Sequence, residues 1–404
     1  MPEPIRALTL CLPELGGVYV VVAGLVKSLA ARGVTLSWLA AHHALRVTDP
    51  DDLRTGALLA TPDDDDLTRA RALFERIAAE RPHLVLFHAL SGAVESNLAR
   101  YLPPEIFRVL VVHSITPATY KAAAALRDHV HATICVSPRI HSDLTGRHGF
   151  DPLWTFVVPN GIDPAAYAIP RPLRDCNALH VLCHGRIDDA VKGVFWLPEI
   201  MARAARAGAD LRLTVSGDGP DLAALKQRFQ AAGLSGRVRF TGPVPRRAIP
   251  AHMAEHEALL LPSRFEGCSI TLLEAMAAGC VPIASRIRDV TDFLVRDEID
   301  GLLFAPGSVR RASAHLARLA SDPAAASLLS RSARMTALRF TLRRQAEHYA
   351  SIFALVLDHA RETAPPLDME AWSLPPGLRP GLRSSLPQPV KNILRVARER
   401  IPLF

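Results

Sequence analysis

Aromatic side chains are scarce in this chain: Phe, Trp and Tyr together make up 6% of its 404 residues. A nucleic-acid-binding module interleaves exposed aromatics with basic residues, and no RNP-like, zinc-finger or recognition-helix pattern occurs here, so no nucleic-acid partner is expected. Paired cysteines are missing as well. The six cysteines, Cys11, Cys135, Cys176, Cys183, Cys268 and Cys280, form no CxxC and no zinc-like spacing with histidine. Most lie in apolar segments, as reduced thiols do in a cytoplasm. There is no arginine-rich presequence and no long apolar run with a cleavage site, and VYVVVAGLV, the longest early run, is too short to span a bilayer. A soluble, cytoplasmic chain is expected. No short-period repeat or low-complexity tract interrupts it.

What is present is apolar content, at 49%, in a chain longer than a single core usually serves, which predicts two domains. The net charge of +7 favours an anionic partner such as a phosphate-rich ligand or an acidic membrane surface. Short β-rich runs alternate with amphipathic stretches. IRALTLCL reads as a buried strand, GVYVVVAGLVKSLAARG as a helix ended by Gly33, and VTLSWLA as the next strand; HLVLFHA, RVLVVHS, ATICVS and TFVVPNG follow. Prolines in GIDPAAYAIPRPLRDC mark a linker. A second series then begins: ALHVLCHG, LRLTVSG, RVRFTG, EALLLPS, VPIAS and GLLFAP. Strand and helix in alternation mean parallel sheets with crossover helices, and such sheets bind ligands at the carboxyl ends of their strands. The expected divisions are 1–165, 166–341 and a C-terminal segment, 342–404, made of a helix and a proline-rich basic tail. That tail reads as a wrapping segment. Its end, with Lys391, Arg395, Arg398 and Arg400 among apolar residues, also suits peripheral contact with an anionic membrane.

The stretch EGCSITLLEAMAAGC carries the strongest chemical signal. Glu266 falls just past a buried strand. Ser269 is a good N-cap for a helix that Gly279 would end, and Glu274 lies about one turn inside it. An acid in so apolar a helix is expected to be buried or bound to ligand. The helix start exposes the amides of Ile270 and Thr271 and the positive end of a dipole, which suits phosphate. Acid, anion site and second acid fit a ligand that carries hydroxyls at both ends of a phosphate group, as a nucleotide sugar does. In HGRIDDAVKG, Arg186 follows a strand and Lys192 comes six positions later, so two cations can converge on a departing diphosphate. Gly16 and Gly17 follow the first strand, where missing side chains let amides approach a phosphate. No G-x-G-x-x-G occurs there and no acid ends VTLSWLAAHH, which counts against a dehydrogenase. His113 ends the strand RVLVVH at a carboxyl edge, and His88 in LFHAL is a weaker candidate of the same kind. The four aspartates Asp63 to Asp66 are better explained by helix capping than by a metal site.

On the E-x7-E segment from Glu266 to Glu274, with LGGV, VHS, PNGID, HGRIDDAVKG, SGDGP and FTGPV in order, the chain resembles the family four glycosyltransferases over about residues 5 to 355. The resemblance implies an α/β GT-B fold: two Rossmann-like, doubly wound parallel-sheet domains facing across a cleft, the first on the acceptor side and the second on the donor side. It implies a retaining transferase, hexosyltransferase-like, that moves a sugar from a nucleoside diphosphate sugar to the hydroxyl of a saccharide, glycolipid or small molecule. Such an enzyme would serve glycan or glycoconjugate synthesis. It further implies that Arg186 and Lys192 bind the donor diphosphate and that Glu274 holds the ribose. Glu266 would hold the sugar near the reacting carbon, His113 would contact the donor sugar or the acceptor, and main-chain atoms of Val244 would hold the base. No metal and no separate cofactor are expected. The chain departs from the family at RIRDVTD, where a glycine-rich turn is common, and at Cys268 and Ser269. Two alternatives remain at this point: an inactive nucleotide-sugar-binding scaffold, and a sugar-nucleotide epimerase of the same fold.

Overall fold

Each short apolar run becomes a strand of a parallel sheet in the computed structural model. It describes residues 4–11, 16–41, 55–59, 64–90, 92–171, 178–379, 381, 386, 387 and 390. The chain divides into two units, one made of residues 4–162 and 340–379, the other of 163–339. The expected basic end, from Lys391 onward, lies outside the described residues, as do Asp63 and Cys176.

In the first unit the strands are β1 (Ile5–Leu10), β2 (Val34–Ala40), β3 (Gly56–Leu58), β4 (Leu84–His88), β5 (Phe107–Val112), β6 (Ala132–Cys135) and β7 (Thr155–Val157). They pair in the order β3-β2-β1-β4-β5-β6-β7, all in parallel. Order reverses at β1, so β1, β4 and β5 stand side by side and their carboxyl ends form one edge. Helices cover both faces, which is why β4 is buried at every residue and reads as a continuous apolar run.

The second unit repeats the plan with β8 (Leu179–His184), β9 (Leu211–Ser216), β10 (Val238–Gly242), β11 (Ala258–Leu261), β12 (Val281–Ser285) and β13 (Leu302–Phe304), in the order β10-β9-β8-β11-β12-β13. Its core joins Val181, Leu213, Leu260 and Ile283 from the sheet to Leu197, Met201, Leu316 and Phe229 from the helices. Both units are therefore doubly wound α/β layers.

After Arg339 the chain returns to the first unit. Ile162 and Thr341 form a parallel bridge, and the helix Leu342–His359 buries one stripe, Tyr349, Ile352, Phe353 and Val356, against that unit. The proline-rich stretch that follows lies along the same unit. The amide of Ala364 donates to the Asp128 carbonyl at 2.7 Å, the amide of Leu367 to Arg100 at 2.8 Å, and Trp372 packs on Tyr101 with ring centroids 4.6 Å apart. Residues 342–379 thus belong to the first unit's fold.

Candidate functional site

The helix Ile270–Ala278 starts where β11 has ended and a loop has turned. Ser269 caps it, its hydroxyl accepting from the amide of Leu272 at 3.3 Å, and Gly279 closes it in the left-handed conformation. The first helical bond runs from the amide of Leu273 to the Ser269 carbonyl, so the amides of Ile270 and Thr271 precede the ladder. Glu266 lies in the loop, 7% exposed. Its Oε1 accepts from Lys192 Nζ at 2.6 Å and from Ser263 Oγ at 2.6 Å. Glu274 is half-buried. Its Oε1 accepts from the Tyr167 hydroxyl at 2.7 Å. Burial raises the Glu274 carboxyl above its ordinary range, while Tyr167 and Arg246 act in the opposite direction.

Lys192 reaches Glu266 because two loops interlock. The turn Asp189–Lys192 follows β8, capped by Asp188, and Gly193 ends it with φ 61°. A Cβ at Gly193 would overlap the Pro262 carbonyl oxygen, so only glycine lets the loop after β8 press against the loop after β11. The amides of Arg264 and Phe265 both donate to the Val191 carbonyl, at 2.8 and 3.2 Å. Buried Asp189 accepts from the amide of Phe195 at 2.7 Å and pairs with Arg264, whose guanidinium lies 3.8 Å over the Trp196 ring. The loop after β9 closes on the same turn: a Cβ at Gly217 would strike the Gly185 carbonyl. HGRIDDAVKG, SGDGP and PSRFEG are therefore one packed cluster at the carboxyl ends of β8, β9 and β11.

Lys192 and Glu266 come together in this cluster, and the helix start follows Glu266 along the chain. Arg186 is turned outward, with its side chain 72% exposed and its guanidinium 3.9 Å from Asp188. Val244 is half-buried in the loop after β10. In the first unit, Gly16 is the extended residue before the helix Gly17–Ala30, and no side chain caps that helix start. His113 stands past the end of β5, half-buried, and its Nε2 lies 2.8 Å from His88 Nδ1. His88 is 1% exposed, and its Nε2 lies 2.8 Å from Thr9 Oγ1. Burial pushes His113 down to about 4 and takes His88 well below its ordinary value, so both rings are neutral at pH 7.

Sequence reasoning did not single out Tyr167, Ser263 or Thr9. Ser263 is three residues from Glu266 and could have been found. Tyr167 and Thr9 meet their partners only through the fold. The RIRDVTD segment is held by Thr291, whose hydroxyl donates to the Ser285 carbonyl at 2.6 Å and accepts from the Ile287 amide at 2.7 Å; Arg286 pairs with Asp297 and Arg288 is exposed. Asp65 caps the helix Asp66–Glu80 through the Thr68 amide at 2.7 Å. Among the described residues no group of three His, Cys, Asp or Glu side chains could hold a metal ion, and no helix is long and apolar enough to cross a membrane. The described cysteines are buried, and none of them forms a disulfide.

A model described as Glycosyltransferase Family 4 matches residues 15–166, and one described as Glycosyl transferases group 1 matches residues 178–322, together most of the chain. The chain is 35% identical over 178 residues to the 2-deoxystreptamine glucosyltransferase of Streptomyces kanamyceticus, covering 42% of this chain and 46% of that one. It is 30% identical over 174 residues to the alpha-D-kanosaminyltransferase of the same organism, covering 43% and 45%. The matched segments thus span less than half the length of these curated relatives. Among solved structures, Anabaena HepE in complex with UDP and glucose superposes with a TM-score of 0.72 at 19% identity, covering 87% of this chain and 99% of HepE. The sucrose-phosphate synthase of Thermosynechococcus elongatus gives 0.72 at 18% identity, covering 88% and 99%. The two parallel-sheet units are those of the GT-B fold, and the chain belongs to the group 1 glycosyltransferases.

Proposed function

We propose that this chain transfers a sugar, with retention of anomeric configuration, from a nucleoside diphosphate sugar to an acceptor hydroxyl. The observation that carries the reading is the pair of Lys192 and Glu266 in the loop that leads into the capped helix Ile270–Ala278, with Glu274 one turn inside it. A cation, two unladdered amides and a helix dipole gather positive potential where a diphosphate would lie. Glu266, buried and paired, offers an acceptor for sugar hydroxyls, and Glu274 one for the ribose. Arg186, exposed on a long side chain, is free to fold onto the diphosphate once it is present. The base is proposed to meet the main chain at Val244. In the first unit, His113 would act as a neutral hydrogen-bonding group toward sugar or acceptor hydroxyls, and the uncapped helix start at Gly16 and Gly17 as an amide donor to anionic oxygen.

In the proposed reaction the bond between the anomeric carbon and the leaving phosphate oxygen breaks, and a bond to the acceptor oxygen forms on the same face. The acceptor's proton passes to the departing phosphate oxygen. Lys192 and Arg186 stabilise charge that develops on the leaving group, which is where preorganised electrostatics lower a barrier most. No resident metal is invoked, because these cations supply the positive charge. The acceptor is proposed to be a saccharide, a lipid-linked saccharide or a small molecule. The UDP and glucose bound in HepE make UDP-glucose the first donor to try.

The test is product analysis by proton NMR with UDP-, GDP- and ADP-sugars and simple saccharide acceptors. Retention at the new anomeric centre is expected. Inversion would overturn the retaining mechanism. Donor binding with neither transfer nor hydrolysis would favour an inactive scaffold, and conversion of the donor without acceptor to an epimeric sugar nucleotide would favour an epimerase.

A further inference from the structure

We propose that Tyr167 is a positioning residue that fixes the Glu274 carboxylate for the ribose hydroxyls of the donor nucleotide; the inference rests on the ribose reading of Glu274 given above. Tyr167 ends a 3-10 turn, Pro164–Tyr167, just after the chain enters the second unit. Asp163 starts the turn by accepting from the Ala165 amide at 3.1 Å, and the Ala168 amide closes it on the Ala165 carbonyl at 3.2 Å. The turn packs against the helices Ile270–Ala278 and Ile249–Ala254. The phenol is thus delivered by a rigid element and is 7% exposed.

Its hydroxyl donates to Glu274 Oε1 at 2.7 Å. Burial and the neighbouring Glu274 carboxylate raise the phenol far above its ordinary range, so Tyr167 keeps its proton and can donate it to Glu274. A phenol has one proton to give. A carboxylate has two oxygens and about four lone-pair sites, so one oxygen is anchored while Oε2 and the second site on Oε1 stay open. The three acceptor sites left on a fixed carboxylate are enough for the two donors of a vicinal diol. Without the phenol, Glu274 would have to be ordered by the ligand, at an entropic cost to binding. The bond also favours the ionised carboxylate against the burial that opposes it.

The experiment measures dissociation constants by calorimetry for UDP, GDP and ADP, then for the 2′-deoxy form of whichever binds wild type. Wild type, Tyr167→Phe and Glu274→Gln are compared, and KM and kcat for the matching nucleotide sugar are measured alongside. Tyr167→Phe keeps the ring in its slot and deletes only the donor. It should weaken ribonucleotide binding by about three- to tenfold, the effect of one lost hydrogen bond, while 2′-deoxynucleotide binding changes little. KM should rise and kcat stay near wild type. Glu274→Gln should abolish the ribose preference. If Tyr167→Phe keeps the wild-type preference while Glu274→Gln loses it, the inference falls and the ribose role of Glu274 stands. If Glu274→Gln keeps the preference, the ribose reading falls, and this inference with it. A purely structural bond would lower the melting temperature of Tyr167→Phe without moving the preference, which also overturns the inference. Should Tyr167→Phe not fold, Tyr167→Met serves under the same criteria.

Discussion

Replacing Lys192 with methionine separates what its ion pair does for the fold from what it does for chemistry. The substitution keeps most of the stem's volume and removes the charge. Glu266, 7% exposed, is left with Ser263 as its remaining partner, and the side chain of Lys192 is itself 24% exposed. Breaking a fully buried pair costs about 3–5 kcal/mol. The Ser263 hydrogen bond and the partial exposure of Lys192 reduce that to about 2–3 kcal/mol. For a unit of this size the loss corresponds to a fall of about 5–10 °C in melting temperature. Calorimetric melting of Lys192→Met, Glu266→Gln and the double variant reads it directly. In the double variant no carboxylate is stranded, so much of the stability should return while turnover does not. A double variant no more stable than Lys192→Met would rule out the stranded carboxylate, and a Lys192→Met that transfers sugar at the wild-type rate would rule out the role of Lys192 in chemistry.

Three further outcomes follow from the geometry. Arg186→Ala should leave the melting temperature unchanged, because the side chain is exposed, yet weaken nucleoside diphosphate binding about tenfold; unchanged affinity would remove Arg186 from the site. Gly193→Ala forces a Cβ into the left-handed region and against the Pro262 carbonyl, so it should cost about 2 kcal/mol or more and reduce turnover, with calorimetry and activity as readouts. Burial pushes His113, His131 and His184 each down to about 4, so the fold holds them neutral while the unfolded chain takes up protons below about 6.5. Their contribution is complete above about pH 6.5 and is lost as pH falls toward 4, at about 1 kcal/mol for each histidine by pH 5.5. A urea midpoint that does not fall between pH 7.5 and 5.5 would contradict this.

Strand positions were legible in the sequence because a parallel sheet covered on both faces demands continuous apolar runs, and β4 and β11 have them. β3 was not legible. It is three half-buried residues paired with the end of β2, and a Cβ on its Gly56 would overlap Trp38. The cap at Ser269 and the stop at Gly279 could be read locally, since capping uses residues within one turn. Contacts made by sheet order could not. Thr9 lies near the end of β1, His88 ends β4 and His113 follows β5, and only the adjacency of these three strands strings them into one hydrogen-bonded row. Tyr167 is 107 positions from Glu274 in sequence, and no spacing rule links them. The outward turn of Arg186 depends on side-chain freedom that its motif does not encode.

The loops around Lys192 and Glu266 are proposed to hold the diphosphate of a sugar nucleotide. Melting temperatures of wild type and Lys192→Met, each with and without saturating UDP-, GDP- and ADP-sugars, test this most directly, since a ligand that binds only the folded state must stabilise it. At least one of these donors should raise the wild-type melting temperature, and the same donor should leave Lys192→Met nearly unmoved. Equal stabilisation of both proteins, or stabilisation of neither, would contradict it.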